Sequence, residues 1–221
     1  MIKATYINHM GDDLSVVNAA RVSFGKKSSL ECIDLVKGKY VLSYKDKKLI
    51  EYLAKNKHMS PFGHCFASFH VKAPVFVARQ LVKHKFLRWN EISRRYVDSE
   101  PEFYMPKFRK AVKDKKQGSG KAINSTNLHI NFERDMVRAK HQYKYLLNHE
   151  VCPEQARMVL PQNTITEWYW SGSLDAFSNM CLLRCASDTQ AETQEVAKQI
   201  SVKMHELFPV SWMALAKEKR E

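Results

Sequence analysis

The chain has 221 residues, 44% of them hydrophobic and 11% aromatic, enough apolar material for a packed core and too much for a disordered chain. Lys and Arg outnumber Asp and Glu by 36 to 23, a net charge of +13, so the partners to expect are anions: nucleic acid, an acidic membrane surface or small polyanionic ligands. No run approaches ~18 consecutive apolar residues, which excludes a membrane-spanning helix, and Met1 to Tyr6 lacks the features of a signal peptide, so a cytoplasmic location is expected.

The first element in chain order is a helix over Leu14 to Phe24. Leu14, Val17, Ala20 and Phe24 recur at helical spacing there, behind Asp12 and Asp13 as cap candidates. Tyr44 to Lys57 repeats the pattern with Leu49, Tyr52 and Leu53 on one face, and its lysines gather toward the negative end of the helix dipole. Pro61 and Gly63 mark a turn. Phe66 to Lys72 alternates Ala67, Phe69 and Val71 on one face and reads as a strand. Pro74 opens a helix that runs to His84. From Phe86 to Tyr96 the periodicity fails, and the spacing predicts an irregular segment at a helix end.

Lys107 to Lys121 holds seven basic residues, one Asp and two glycines, the composition of a solvated, mobile loop. A long helix fits Asn131 to His149, with Phe132, Met136, Ala139, Tyr143 and Leu146 along one stripe. Pro153 starts a helix that Pro161 stops. Thr164 to Ser171 is aromatic and β-branched enough for a strand, and helices follow over Leu174 to Cys185 and Glu192 to Phe208. The sum is an α/β (α+β) domain. It has neither a GxGxxG nor a P-loop signature, so a nucleotide site here is not of those types.

The five cysteines form no CxxC pair and no zinc spacing with histidine, and no metal site is expected. Cys181 and Cys185 lie one helical turn apart on a segment that reads as buried, a pair of small core residues. The charge is more informative. Six of the thirteen net positive charges belong to the 107–121 loop, and Arg79, Lys83, Lys85, Arg88, Arg94 and Arg95 crowd into one short stretch.

Within that stretch Lys83, His84 and Lys85 are three consecutive hydrogen-bond donors at a helix end, suited to a phosphate or to a reduced flavin ring. Glu91 and Ser93 add an acceptor and a hydroxyl, and Arg95 adds a fork able to hold a phosphate at two points. The same composition also describes a solvated basic loop. A nucleic-acid-binding module is the alternative from a different class, since Trp89 and Tyr96 among arginines suit base stacking. No helix-turn-helix, zinc or RNA-recognition signature supports that alternative.

At these residues the chain resembles the flavin-dependent thymidylate synthases. Their signature is Arg-His-Arg, seven residues, then Ser, with Asn-Glu before the Ser and Arg-Tyr after it. Here it is Lys83-His84-Lys85, seven residues and Ser93, with Asn90-Glu91 and Arg95-Tyr96 in place. Asn18 to Phe24, Ser60-Pro61-Phe62, Phe69 to Pro74, Ala78-Arg79-Gln80, Ala156-Arg157 with Leu160-Pro161, and Leu183-Arg184 with Gln190 also look like the family, in its order.

The resemblance implies a single-domain fold over residues 1–221, with a mostly antiparallel central sheet flanked by helices, assembled as a homotetramer with shared active sites. It implies methylation of dUMP at C5 to dTMP with FAD, NADPH and 5,10-methylenetetrahydrofolate, and neither nucleic acid nor membrane as partner. By the same resemblance Gln80, Lys83, Glu91, Ser93, Arg94, Arg95, Arg157 and Arg184 would hold dUMP. Ser23, Ser60, Lys83, His84, Lys85, Glu91, Ser173 and Asn179 would contact FAD. Arg184, which would stabilise the ionised N3 of uracil, and Ser93 are the catalytic candidates. No cysteine is needed as a nucleophile.

The chain departs from the family pattern at several places. Lysines replace both arginines of the triplet, Arg94 stands where Gly is usual, and Ser173, Asp175 and Asp188 replace Asn, Arg and His. The implied flavin and folate positions are therefore altered more than the nucleotide positions. That leaves open a relative that hydroxymethylates or otherwise modifies a pyrimidine nucleotide.

Overall fold

A computed structural model describes residues 2–113 and 118–217. Its centre is a four-stranded antiparallel sheet in the order β1-β4-β6-β5. Strand β4 (Phe66–Pro74) buries Ala67, Phe69, Val71 and Ala73 and leaves the alternate residues partly exposed, the period-two pattern read from the sequence. It pairs along its whole length with β6 (Ile165–Ser173), from Phe66 opposite Ser173 to Pro74 opposite Ile165. Trp168 and Trp170 lie on the same buried face as Phe69 and Val71. Phe69 and Trp170 each meet Phe177 of α6 (Leu174–Arg184) edge to face.

Strand β1 (Lys3–Met10) occupies one edge of the sheet and β5 (Leu87–Glu91) the other. The irregular segment expected at 86–96 is corrected here. Leu87 and Trp89 pair opposite Gly172 and Trp170, and Trp89 stacks on Trp168 with centroids 4.4 Å apart. Pairing with a strand already in place outweighs the weak local signal of Leu-Arg-Trp-Asn-Glu.

Gly172 permits this approach. A Cβ there would overlap Leu87 Cδ2 and stand 3.0 Å from the Phe86 carbonyl oxygen. Gly172→Ala is expected to cost about 1–3 kcal/mol by overpacking and to lower the melting temperature by roughly 2–4 °C per kcal/mol. An unchanged thermal unfolding curve would count against this close packing.

Helix α1 (Asp13–Arg21) is capped by Asp12, whose carboxylate accepts from Ser15 N at 2.7 Å, and a 3-10 turn continues it over Val22–Phe24. Asp13 does something else. Its two carboxylate oxygens accept from the Val210 and Ser211 amides, both at 2.9 Å, in the first turn of α8 (Pro209–Lys217).

Helices α2 (Tyr44–Lys55), α3 (Val75–Leu81) and α7 (Ala191–Leu207) complete the core, α7 running against β1 and β4. A hairpin of β2 (Glu31–Asp34) and β3 (Lys39–Val41) projects between α1 and α2 in the chain. The long helix α4 (Thr126–Asn148) begins five residues before the expected start, capped by Ser125, and buries only Tyr143. It contacts mainly α5 (Pro153–Ala156) and the 3-10 turn Arg157–Val159 that follows.

The described arms of the 107–121 stretch, expected as a solvated, mobile loop, pair with each other and with the residues that follow. Lys110 N donates to Lys121 O at 2.9 Å and Ile123 N to Phe108 O at 2.8 Å; residues 114–117 lie outside the described residues. The result is one mixed α/β domain, with helices flanking an antiparallel sheet.

Candidate active site

Helix α3 leaves β4 at Pro74, stops after seven residues and delivers Lys83, His84 and Lys85 into the turn before β5. Phe86 makes that turn with a left-handed φ of 64°, its ring 85% exposed. A non-glycine residue held there costs of order 1–3 kcal/mol, and such strain clusters where a chain is held for function.

Across from this turn is the C-terminal end of α6. Arg184 Nε donates to His84 Nε2 at 2.9 Å, and Arg184 Nη2 donates to the Gln80 carbonyl at 3.3 Å. His84 must therefore accept at Nε2 and carry its proton on Nδ1. Burial, and then the Arg184 charge, push the His84 pKa below its ordinary value, so the ring is neutral near pH 7. The Gln80 amide is fixed at both ends. It donates to Gln190 Oε1 at 2.6 Å and accepts from the fully buried Thr193 hydroxyl at 3.1 Å.

Gln80, Arg184 and Gln190 border a cavity of about 600 Å³ that is also lined by Lys83, Arg109 and Asp188. Three cations face one carboxylate there, which favours an anionic ligand. The sequence does not single out Arg109, which is one charge in a basic run. Its partner is the buried Glu192 of α7, reached by Nη2 at 2.9 Å to each oxygen. Gln190, Glu192 and Thr193 lie on a short stretch at the start of α7, and only the family match at Gln190 points to it.

The remaining expected residues fall elsewhere. Ser23 and Ser60 line a second cavity of about 600 Å³, between α1 and α2, with Tyr52 and His58 stacked on each other. Arg21, also on its wall, is paired with Asp46 at 2.6 Å. Asn179 is exposed on α6, and Ser173 is buried at the start of that helix, donating to Asp175.

At the far end of β5, Glu91 accepts from Thr166 Oγ1 at 2.6 Å and Trp89 Nε1 at 3.1 Å. Arg94 donates to Ser99 O, and Ser93 Oγ accepts from Arg95 N at 3.3 Å. Arg95 and Arg157 both reach Glu154, at 3.4 Å to its carboxylate and 3.2 Å to its carbonyl. Arg157 is exposed.

Four residue steps of strand, about 13 Å, separate the Leu87 end of β5 from Glu91. The cavity that Lys83 lines takes none of its described lining from Ser93 to Arg95.

The family model described as "Thymidylate synthase complementing protein" matches residues 5–210. The chain belongs to that family. Among its curated relatives, a flavin-dependent thymidylate synthase of Thermus thermophilus is 38% identical over 209 residues, covering 94% of this chain and 73% of the relative. That of Pseudothermotoga lettingae is 34% identical over 218 residues, covering 97% and 90%. The crystal structure of the UMP/dUMP methylase PolB from Streptomyces cacaoi bound with 5-Br dUMP superposes with a TM-score of 0.81 at 28% identity, covering 97% of this chain and 94% of that one. PolB bound with 5-Br UMP gives the same score at 29% identity.

Proposed function

We propose that this protein is a flavin-dependent thymidylate synthase, which methylates dUMP at C5 to dTMP with 5,10-methylenetetrahydrofolate as carbon donor, FAD as cofactor and NADPH as reductant. The observation that carries this reading is Arg184, fixed by His84 and the Gln80 carbonyl at the edge of a cationic cavity. A guanidinium stays charged throughout the neutral range, so Arg184 holds negative charge on a uracil ring without exchanging its own proton. That charge makes C5 nucleophilic, and preorganised donors of this kind need little rearrangement as charge develops. The Gln80 amide, clamped by Gln190 and Thr193, orients the base. Lys83 and the exposed donors of the Arg95 loop supply positive charge for the phosphate.

The donor set suits a flavin. Lys83 and Lys85 are exposed cations beside a neutral His84, and Ser23 and Ser60 present hydroxyls in a cleft bordered by Tyr52 and His58. FAD held by these residues and reduced by NADPH would supply the hydride chemistry that completes the methyl group. Lysine lacks the two-point fork of arginine. Replacing both lysines, Lys83→Arg with Lys85→Arg, is expected to tighten FAD about tenfold, on the order of one charge-assisted contact. Equal affinity in a fluorescence titration would remove that assignment.

A homotetramer with shared sites fits the same geometry. A second copy would bring its Glu91 to Arg95 loop to the cavity bordered by Gln80 and Arg184. Leu128, Ile130, Val137 and Tyr145 of α4 are exposed, as an interface helix would leave them in an isolated chain. A cytoplasmic location goes with this reading, since the nucleotide, the folate and NADPH are all metabolites of that compartment. No described helix is long and apolar enough to cross a membrane.

The deciding experiment incubates purified protein with FAD, NADPH, methylenetetrahydrofolate and C5-tritiated dUMP or UMP. Expected are tritium release and a product one CH2 heavier. No release from either nucleotide would overturn the reading. A product one CH2O heavier would redirect it to hydroxymethylation.

A further inference from the structure

Cys181 and Cys185 are not explained by any step above. They lie four residues apart at the end of α6, and Cys185 N closes the helix on Cys181 O at 2.8 Å. Cys181 is buried, whereas Cys185 is half-buried on a crevice of about 360 Å³. Both thiols line that crevice together with Ser178, Leu182, Ser201 and Trp212. Arg184, which lines the cationic cavity and donates to His84, is the residue next to Cys185 in the chain.

We propose that a hydroperoxide converts Cys181 and Cys185 to a disulfide, and that this bond deforms the last turn of α6 and withdraws Arg184 from the nucleotide cavity. The second half rests on the nucleotide reading above; the first does not.

The chemistry has a first thiol to react and a second to resolve. The neighbouring Cys181 thiol, which in this geometry donates to the Ala197 carbonyl at 3.5 Å, draws the Cys185 thiol below the usual range when it turns toward it; burial opposes this and the Lys198 charge assists it. Burial raises the Cys181 thiol, and it raises Cys65 to about 12, so neither is the first to react. The Cys185 thiolate attacks one peroxide oxygen, the O–O bond breaks and hydroxide or alkoxide leaves, giving a sulfenic acid. The Cys181 sulfur then attacks the Cys185 sulfur. The S–O bond breaks, the S–S bond forms, and the Cys181 proton leaves with the hydroxyl as water. With hydrogen peroxide, two thiols and one oxidant give one disulfide and two waters.

The coupling to Arg184 is geometric. Residues four apart on a helix keep their Cβ atoms about 5–6 Å apart, whereas a disulfide needs about 3.5–4.5 Å. Closing that gap, about 0.5–2.5 Å, draws in the turn that carries Arg184 and strains the two hydrogen bonds that fix it.

The sequence provides a clean readout, because trypsin cleaves after Arg184, between the two cysteines. It yields peptides 158–184 and 185–198, each with one of the pair. The full-length protein, treated with hydrogen peroxide at pH 7 and digested without reductant, is expected to yield these two peptides cross-linked and two hydrogens lighter than their sum. Dithiothreitol should separate them. In Cys181→Ala, dimedone is expected to trap the sulfenic acid on Cys185.

By calorimetry, oxidation is expected to weaken dUMP binding about tenfold, within the usual range of coupling between sites. Reduction should restore it, and Cys185→Ser should bind like the reduced protein and ignore peroxide. Absence of the cross-link, with Cys185 unmodified, overturns the proposal. So does oxidised, cross-linked protein that binds dUMP as tightly as reduced protein. Reduced protein that binds no dUMP would instead sink the nucleotide reading and the Arg184 coupling with it, while the cross-link is judged on its own.

Discussion

Arg184→Ala is expected to lower kcat on dUMP by about 10²–10³, the loss typical of one preorganised donor at a site of developing charge. Nucleotide affinity should fall by less, about 10- to 100-fold, as for one charged hydrogen bond. The guanidinium also acts on His84, which it faces at 2.9 Å and whose pKa it helps to hold down, after burial. Removing it should let the His84 pKa rise toward its ordinary value, visible as a shifted imidazole titration by NMR.

The sign of the stability effect follows. A histidine whose folded pKa is depressed binds its proton more readily when unfolded, so its contribution is complete above about pH 6.5 and is lost as the pH falls. That acid-side loss should shrink in Arg184→Ala. Arg184→Lys keeps the charge but not the two-sided grip on His84 and Gln80, and should fall between. Unchanged kcat/KM in both variants, with an unmoved His84 titration, would contradict the role given to this residue.

How much of this is legible in the sequence differs from element to element. Strand β4 is readable because its alternate side chains differ sharply in polarity, and α1 because Asp12 caps a periodic face. Strand β5 is not, because Arg88, Asn90 and Glu91 mask an alternation in which only Leu87 and Trp89 turn inward. Its strand character comes from Trp168 and Trp170, some eighty residues later. Strand β1, the β2–β3 hairpin and α8 escape a local reading for a similar reason. Each is short or mostly exposed, and each is settled by partners distant in sequence, as α8 is by Asp13.

The candidate site divides along the same line. Gln80, His84 and Arg184 stand at motif positions and do converge. The grouping of Lys83 through Arg95 in sequence suggests one grip, but a strand intervenes and points its two ends apart. Arg109 and Glu192 carry no local signal, since an ion pair between residues eighty-three positions apart exists only once α7 is packed.

That ion pair gives the largest stability effect expected here. Arg109→Ala leaves the Glu192 carboxylate, 3% exposed, with only uncharged partners, among them the Tyr104 hydroxyl at 3.5 Å and the Gln190 side chain. Breaking a buried pair from one side typically costs about 3–5 kcal/mol, because the surviving charge stays desolvated. At roughly 2–4 °C per kcal/mol for a chain of this size, the melting temperature should fall by something on the order of 10 °C.

The pH dependence separates this cause from simple loss of packing. In the intact protein, burial raises the Glu192 pKa, but the Arg109 hydrogen bonds and charge, helped by its own backbone N–H and the Gln190 side chain, outweigh it and leave the pKa below the ordinary glutamate value. The contribution of the pair is therefore full above about pH 4.5 and is lost as the pH falls through the folded pKa. In Arg109→Ala burial becomes the dominant influence, so the shift reverses. The variant then keeps its stability at acid pH and loses it as the pH rises through the raised pKa. The gap in melting temperature between the two proteins should be wide at pH 8 and narrow toward pH 5. Adding Glu192→Gln to Arg109→Ala removes the stranded charge and should recover part of the loss at pH 8. A gap that stays constant with pH, and no recovery in the double variant, would mean that Arg109 contributes by packing alone.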